Sequence, residues 1–402
     1  MTESDIDTQV KKYWAIREHV FPQEFLEELE NDFEGFRDVS EDQPMAICEF
    51  LSYLDFGFAG KFLEKLYKRE PDYPPEAVVK ALFLMDIKRM KFYTELRRKL
   101  VVEQKYAAML GFPIENGAVK IPSPKTFWHF VNVRMAKHWD TFFRLLRGEC
   151  VFEGRKVNLS IGRKVTGDST PIEALEKDSD AEYNGHYKVS GYKLDTLVDL
   201  ETNIPLSKQV IGINEDEAKC VVPHLEETKA AGIETEHIYL DGGYDDYPNL
   251  AWAGVNDIEV HHQIHENWVR NPKGEEEALH ELYQKYWKHQ DFRPEASMTY
   301  ILSFLLSRGE DEAVGAYFRN KAMDRYNQGP VEFMKDFRLR NRQEGHHGYW
   351  KEHMEIQDRL RTKGKTRVDR YLTRNLCAIL AVALCRLQHG IKTNLTSVVY
   401  FT

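Results

Sequence analysis

Hydrophobic positions recur every three or four residues through the first third of the chain. Phe50, Leu51, Leu54 and Phe58 form one such series, and Phe62, Leu63 and Leu66 form another. That spacing is the signature of a helix with one face turned to a core. The segment DYPPEAVVKALFLMDIKRMKFYTELRRKL begins with Pro74 and Pro75, which suit a first helical turn, and sets Val78, Ala81, Leu82 and Met85 on one face. Ser123, in IPSPKTFWHFVNVRM, is placed to cap a further helix bearing Phe127, Phe130 and Val131. Residues 1–150 therefore read as helical. After residue 150 the period shortens to that of strands. VNLSIGRKVTGDST predicts a first strand ending near Asp168, and 186–200 with 204–213 predict a strand pair joined by a turn at 201–203. EDEAKCVVPHLEETKAAG reads as a helix stopped by Gly232. Ile238, Tyr239 and Leu240 form a buried strand that runs into Gly242 and Gly243, NLAWAGVND is a short helix, and IEVHHQI is another strand. Helical spacing returns in EEEALHELYQKYWKHQ, in MTYILSFLL and in 311–325, and 331–402 stays helical. NLCAILAVALCRL is so apolar all round that it belongs in a core.

Composition narrows the class. A chain of 402 residues has room for two or three domains, and 42% hydrophobic residues is ordinary for a globular protein. No run of 18 apolar residues occurs, so no membrane span and no membrane partner is expected. The polar start MTESDIDTQVKKYW lacks the apolar stretch of a signal peptide, and a cytoplasmic location is the expectation. Cys48, Cys150, Cys220, Cys377 and Cys385 show no CxxC pair or zinc spacing and read as core thiols. A net charge of −10 argues, as a sum, against nucleic acid as a partner. The distribution alters that. Residues 335–374 hold twelve Lys and Arg against six acids, and 88–105 hold seven against two. Lys88, Arg89, Arg97 and Arg98 fall near the ends of short helices, the arrangement of a helix-turn-helix-like DNA-binding module. A helical bundle with solvated basic residues is the plainer alternative.

The acids carry the candidate chemistry. In-line attack on a phosphodiester is served by two divalent ions about 4 Å apart, and hard ions such as Mg²⁺ prefer carboxylate oxygens. Such a site needs acids from different elements aimed at one spot. Asp168 follows a strand and precedes Ser-Thr-Pro; Asp241 ends the apolar strand and precedes two glycines. Strand ends beside tight turns are where functional side chains collect in open sheets. Asp245 and Asp246 are rivals to Asp241 but lie beyond the turn. In FRLRNRQEGHHGYWKEHM, Phe337, Arg340, Glu344 and Lys351 are spaced 3, 4 and 7 apart and share one helix face. A carboxylate flanked by Arg and Lys suits metal binding with phosphate grip, and equally an exposed ion-pair ladder.

The order β-β-β-α-β-α-β is that of a ribonuclease H-like fold. With these motifs assembled, the chain resembles the DDE transposases of bacterial and archaeal insertion sequences, in the group with a Y-R-E-K signature. Arg340, Glu344 and Lys351 match that signature in identity and spacing, and Phe337 stands where Tyr is usual. TGDSTPIEA is similar to the first-Asp motif, LDGGYDD to the second, and YKVSGYKLDTLVDLETNIPLSKQVIGINEDE to the strand pair between them. The resemblance implies an α/β protein: a ribonuclease H-like mixed sheet flanked by helices, with an all-helical N-terminal domain and a helical insertion. It implies residues 1–150 as a DNA-binding or dimerisation domain, 151–265 with 331–402 as the catalytic domain, and 266–330 as the insertion. It implies two Mg²⁺ or Mn²⁺ ions held by the catalytic Asp168, Asp241 and Glu344, with Arg340 and Lys351 on the phosphates of double-stranded DNA. It implies cleavage of terminal inverted repeats and their transfer to target DNA, by a homodimer.

Two other classes remain open from the residues: a transposase-derived DNA-binding protein without catalysis, and a ribonuclease H-like nuclease that does not join strands. Among the histidines, His261, His262 and His265 form a candidate metal cluster that reads more simply as a surface group. His346 and His347, beside Glu344, are candidates for proton transfer near neutral pH.

Overall fold

The computed structural model describes residues 47–264, 268–288, 295–354, 356, 360–399 and 401, with the backbone alone for 342–346. These residues form two compact units. One takes the chain up to Ser160, Glu173–Asp180 and Tyr349–Thr402; the other takes Ile161–Ile172 and Ala181–Gly348.

The first unit is built from helices α1 (Ile47–Ser52), α2 (Gly60–Glu64), α3 (Pro75–Ile87), α4 (Tyr93–Val102), α5 (Gln104–Met109), α6 (Pro124–His129) and α7 (Trp139–Lys156). Helix α3 starts with Pro75 in its first turn, and Ser123 caps α6 by accepting a hydrogen bond from the Thr126 N–H at 3.2 Å. Phe142 of α7 stacks on Phe56, Phe62 and Phe83, with ring centroids 6.0–6.4 Å apart. The expectation of helix throughout is interrupted once, by a hairpin of β1 (Ile114–Glu115) and β2 (Ala118–Val119). Its turn residues Asn116 and Gly117 both have positive φ, the geometry that matches the right-handed twist of paired strands.

The second unit holds the sheet. Its strands are β3 (Lys164–Glu173), β4 (Glu182–Asn184), β5 (Val189–Asp199), β6 (Pro205–Gly212), β7 (His237–Leu240) and β8 (Glu259–His261). The order is β4-β5-β3-β7-β8, with β6 pairing antiparallel with β5. Strand β7 lies parallel to both β3 and β8. Helix α8 (Val221–Ala230) crosses from β6 to β7, and α9 (Tyr247–Val255) crosses from β7 to β8. Gly232 follows α8 in the left-handed conformation, as its position predicts. The spatial order β6-β5-β3-β7-β8, with helices crossing before β7 and β8, is the ribonuclease H-like arrangement, and the short β4 is an addition to it.

Residues after β8 return to helix in α10 (Glu276–Tyr286), α11 (Met298–Ser307) and α12 (Asp311–Gln328). This helical insertion has its own core of Leu279, Tyr283, Ile301, Leu302, Leu305 and Val314, which reaches Ala251 of α9. Helices α12 and α9 meet at glycines. A Cβ on Gly315 would stand 2.3 Å from the Tyr247 carbonyl oxygen, and one on Gly254 would stand 2.4 Å from the Phe318 ring. At Gly315 the neighbour is backbone, which leaves no room for a methyl group, and at Gly254 the Phe318 ring would have to move.

Helix α13 (Pro330–Phe337), a tight turn at Arg338–Arg340 and α14 (Asn341–Met354) follow. The last helix, α15 (Lys365–Gln388), belongs to the first unit and packs on α3 and α7. It is buried without a break from Leu372 to Leu387, which places the apolar NLCAILAVALCRL segment in a core. All five cysteines are buried, and none of them forms a disulfide. No helix among the described residues is long and apolar enough to cross a membrane.

Candidate active site

Strands β3 and β7 run parallel with Gly167 opposite Leu240. The next residue on each strand is an aspartate. Asp168 and Asp241 therefore stand at equal height on neighbouring strands, which lie about 5 Å apart where they pair. Asp168 does not end its strand as the sequence suggests; β3 continues through Pro171 to Glu173. Pairing with β7 stops at Gly167, however, so the strand beyond has an open side where proline is tolerated.

Each carboxylate has one oxygen tied down and one turned outward. Asp168 Oδ1 accepts from the Ser169 N–H at 2.9 Å, and Asp241 Oδ1 accepts from the Gly242 N–H at 2.6 Å. The other oxygens face residues around α14. Asp168 Oδ2 lies 3.5 Å from His347 Nδ1, and Asp241 Oδ2 lies 3.7 Å from Arg340 Nη1. The second nitrogen of His347 meets the Thr196 hydroxyl of β5 at 2.9 Å. The Asp241 side chain is 48% exposed and that of Asp168 21%, so the outward oxygens are reachable from solvent. Arg340 also packs against Phe337, 5.7 Å from its ring centroid. Position 344 lies on α14 one turn after Arg340 and three residues before His347, so helical spacing puts it on the face those two residues share. The side chains of Glu344 and His346 lie outside the described residues.

The rivals to Asp241 are otherwise engaged. Asp245 binds the Arg319 guanidinium at 2.9 Å, and Arg319 stacks on Trp268 at 3.9 Å. Asp246 precedes α9, and burial raises its carboxyl above the ordinary range, helped by Asp216.

A buried polar network lies behind the two acids, and sequence reading did not find it. Asp195 of β5 binds His224 of α8 at 2.8 Å and accepts a 2.7 Å hydrogen bond from the Tyr244 hydroxyl. His224 meets Ser207 of β6 at 2.7 Å, and Ser207 donates to Glu227 at 2.7 Å. Burial pushes the Asp195 carboxyl up, opposed by its bonds to His224 and Tyr244. Burial and the neighbouring Asp195 hold the Tyr244 phenol well above its ordinary value, so it remains a donor. Tyr244 closes the Gly242–Tyr244 turn that follows Asp241, so this bond anchors the turn to the sheet. Tyr244→Phe removes a donor from a buried carboxylate. It is expected to lower stability by about 1–3 kcal/mol, read by urea denaturation. An unchanged midpoint would show that Asp195 needs no help from Tyr244. Nearer the surface, Glu217 holds both Lys193 and Ser169, the residue after Asp168.

The basic residues expected to meet DNA divide by environment. Arg97 and Arg98 are exposed on α4. Lys88 is half-buried, and burial together with Lys99 lowers its ammonium below the ordinary range. Arg89 sits in the left-handed conformation and gives its guanidinium to the His353 carbonyl at 3.0 Å and ring at 3.2 Å. Lys351 is half-buried on α14. Of the other histidines, His261 stands beside His237, with ring nitrogens 3.1 Å apart, and His262 is buried next to Trp268. Burial and His237 lower His261 to about 4. His265 lies outside the described residues.

The donor set fits a divalent cation: two hard carboxylates stand at equal height on neighbouring strands, each with one oxygen held by a backbone N–H and the other turned outward. No curated protein matches the chain. A solved structure titled "Cryo-EM structure of piggyBac transposase synaptic complex with hairpin DNA" is similar at 11% identity over 86% of this chain and 80% of that chain, with a TM-score of 0.29. The family model described as "Transposase DDE domain" matches residues 163–380, more than half of the sequence and a span that contains Asp168, Asp241 and Glu344. This chain belongs to the DDE transposase family.

Proposed function

We propose that the protein cleaves the terminal inverted repeats of a mobile element and transfers the cut ends to target DNA. Asp168, Asp241 and Glu344 would hold two Mg²⁺ or Mn²⁺ ions. The observation that carries this reading is the pair of aspartates at equal height on neighbouring parallel strands, faced by Arg340 and His347 on either side of position 344. When bound, the ions activate the attacking oxygen and offset charge on the leaving oxygen. The protein's own residues do the rest. Backbone N–H groups of Ser169 and Gly242 fix the two carboxylates. His347 fastens the first half of α14 to β3 and β5 through Asp168 and Thr196. Arg340 and Lys351 bind phosphates of the terminal repeat, and Arg97 and Arg98 supply further phosphate contacts. In this reading 1–150 supplies DNA binding and dimerisation, 151–265 with 331–402 the catalytic domain, and 266–330 the insertion, and the enzyme works as a homodimer on nucleoid DNA.

Purified protein, a labelled duplex carrying the element's own terminal repeat, a supercoiled target and Mg²⁺ or Mn²⁺ test the proposal. The expected result is metal-dependent cutting at the repeat end followed by joining to the target. Cutting without joining would favour a nuclease, and binding without cutting a DNA-binding derivative. In the same assay Arg340→Ala is expected to weaken repeat binding and to reduce the slope of log affinity against log salt by about 1. An unchanged slope would remove Arg340 from the phosphate contacts.

A further inference from the structure

A second group of ligand-type side chains lies at the other end of β7. His237 opens β7, and its register partner on β8 is Glu259. His261 stands two residues further along β8, on the same strand face as Glu259. His237 Nδ1 is 3.1 Å from His261 Nε2 and 3.5 Å from Glu259 Oε2; His261 Nε2 is 3.8 Å from Glu259 Oε1. One donor atom from each residue lies within 4.8 Å of the other two. A tetrahedral zinc ion with ligands at 2.0–2.1 Å requires its donors about 3.3 Å apart. With one oxygen taken for Glu259, the three donors form a triangle whose edges run from 3.1 Å to at most 4.8 Å, up to about 1.5 Å longer than the edge of such a tetrahedron, and its outer side is left for water.

We infer that His237, Glu259 and His261 form a second metal site, separate from the aspartate pair, that takes a borderline transition ion of the Zn²⁺ class. Two imidazoles and one carboxylate suit Zn²⁺ or Co²⁺, whereas the all-oxygen aspartate pair suits Mg²⁺. Four residues of strand separate His237 from Asp241, about 13 Å, so neither site can borrow the other's ion. His261 is 8% exposed and its ring stacks on Tyr239 at 4.4 Å, which fixes its orientation. His237 and Glu259 are 27% and 38% exposed, which gives an ion a way in from solvent. The surrounding charge is mixed. Arg325 pairs with Glu259, and Lys164 also acts against a cation, whereas Asp336 acts in favour on both imidazoles. A bound ion would clip β8, a three-residue strand at the end of the sheet order, to β7.

The test uses full-length protein carrying Asp241→Asn, without DNA, titrated with Co²⁺. The expected result is the intense visible ligand-field bands of tetrahedral Co²⁺, saturating at one ion per chain and displaced by Zn²⁺. His237→Gln or His261→Gln is expected to weaken Co²⁺ binding at least about tenfold, and Arg325→Gln to strengthen it by removing a positive charge. No bands, or bands that survive both histidine substitutions, would overturn the site, because a simple His237–His261 hydrogen bond then accounts for the geometry. Bands seen only when Asp241 is intact would assign the ion to the aspartate pair and also overturn it. Arg325→Gln needs no loss of a ligand, so it keeps the test valid if a histidine variant fails to fold.

Discussion

Asp168→Asn, Asp241→Asn and Glu344→Gln are each expected to reduce cleavage of the terminal repeat by about a thousandfold or more, some 4 kcal/mol of transition-state stabilisation. DNA binding is expected to stay within a few-fold of wild type. The substitutions are nearly isosteric. An amide oxygen can still accept from the Ser169 or Gly242 N–H that each aspartate now engages, so the local backbone has no reason to move. The charge that holds a cation is lost, and with it the ionic part of the pairing to His347 or Arg340. Removing one of two neighbouring negative charges also relieves repulsion, which offsets that loss, so the aspartate variants should melt close to wild type. Single-turnover cleavage, a mobility-shift titration and a thermal melt on the same preparations separate these effects. Cleavage at the wild-type rate by any one variant would take that residue out of the metal site. A matching fall in melting temperature would mean that the acid had been structural.

Several parts of the candidate site were legible because they announce themselves locally. Asp241 follows three apolar strand residues and precedes two glycines, and the structure keeps it at that strand end. Arg340, Glu344 and Lys351 obey helical spacing, which survives the tight turn at Arg338–Arg340. Asp168 was singled out for a partly mistaken reason. Ser-Thr-Pro looked like a turn, but β3 runs on through it where β7 no longer pairs. The hairpin at 114–119 was missed although its Asn116-Gly117 pair is a strong local signal. The network of Asp195, Ser207, His224 and Tyr244 is a different case. Its members are ordinary residue types scattered over some fifty positions, and only the register of β5 with β6 and the seat of α8 bring them together. No periodicity in the chain encodes that meeting. The His237–His261 pair was likewise invisible, because the sequence draws the eye to the contiguous His261 and His262 rather than to a strand two dozen residues earlier.

Charge counting misled in one respect, and the largest stability effect follows from it. The basic run 335–374 ends in Arg374, which is not a DNA-facing residue. Its guanidinium is buried and binds both oxygens of the buried Asp86, at 2.8 and 2.5 Å, joining α15 to α3. Arg374→Met leaves the Asp86 carboxylate desolvated and without its partner, and is expected to cost about 3–5 kcal/mol. Arg374→Lys keeps the charge but loses the planar two-pronged fit, so it should fall between wild type and Met. Adding Asp86→Leu to Arg374→Met removes the stranded charge, and the double variant should regain most of the lost stability, since a well-packed apolar pair can replace a buried ion pair at little cost. Urea denaturation of the four proteins decides the matter. If the double variant is no better than Arg374→Met, the loss comes from the shape of the arginine stem between α3 and α15 rather than from the unpaired carboxylate. The folded fraction of Arg374→Met should keep the wild-type salt dependence of DNA binding, because a guanidinium already closed on Asp86 has none of its charge to give to a phosphate.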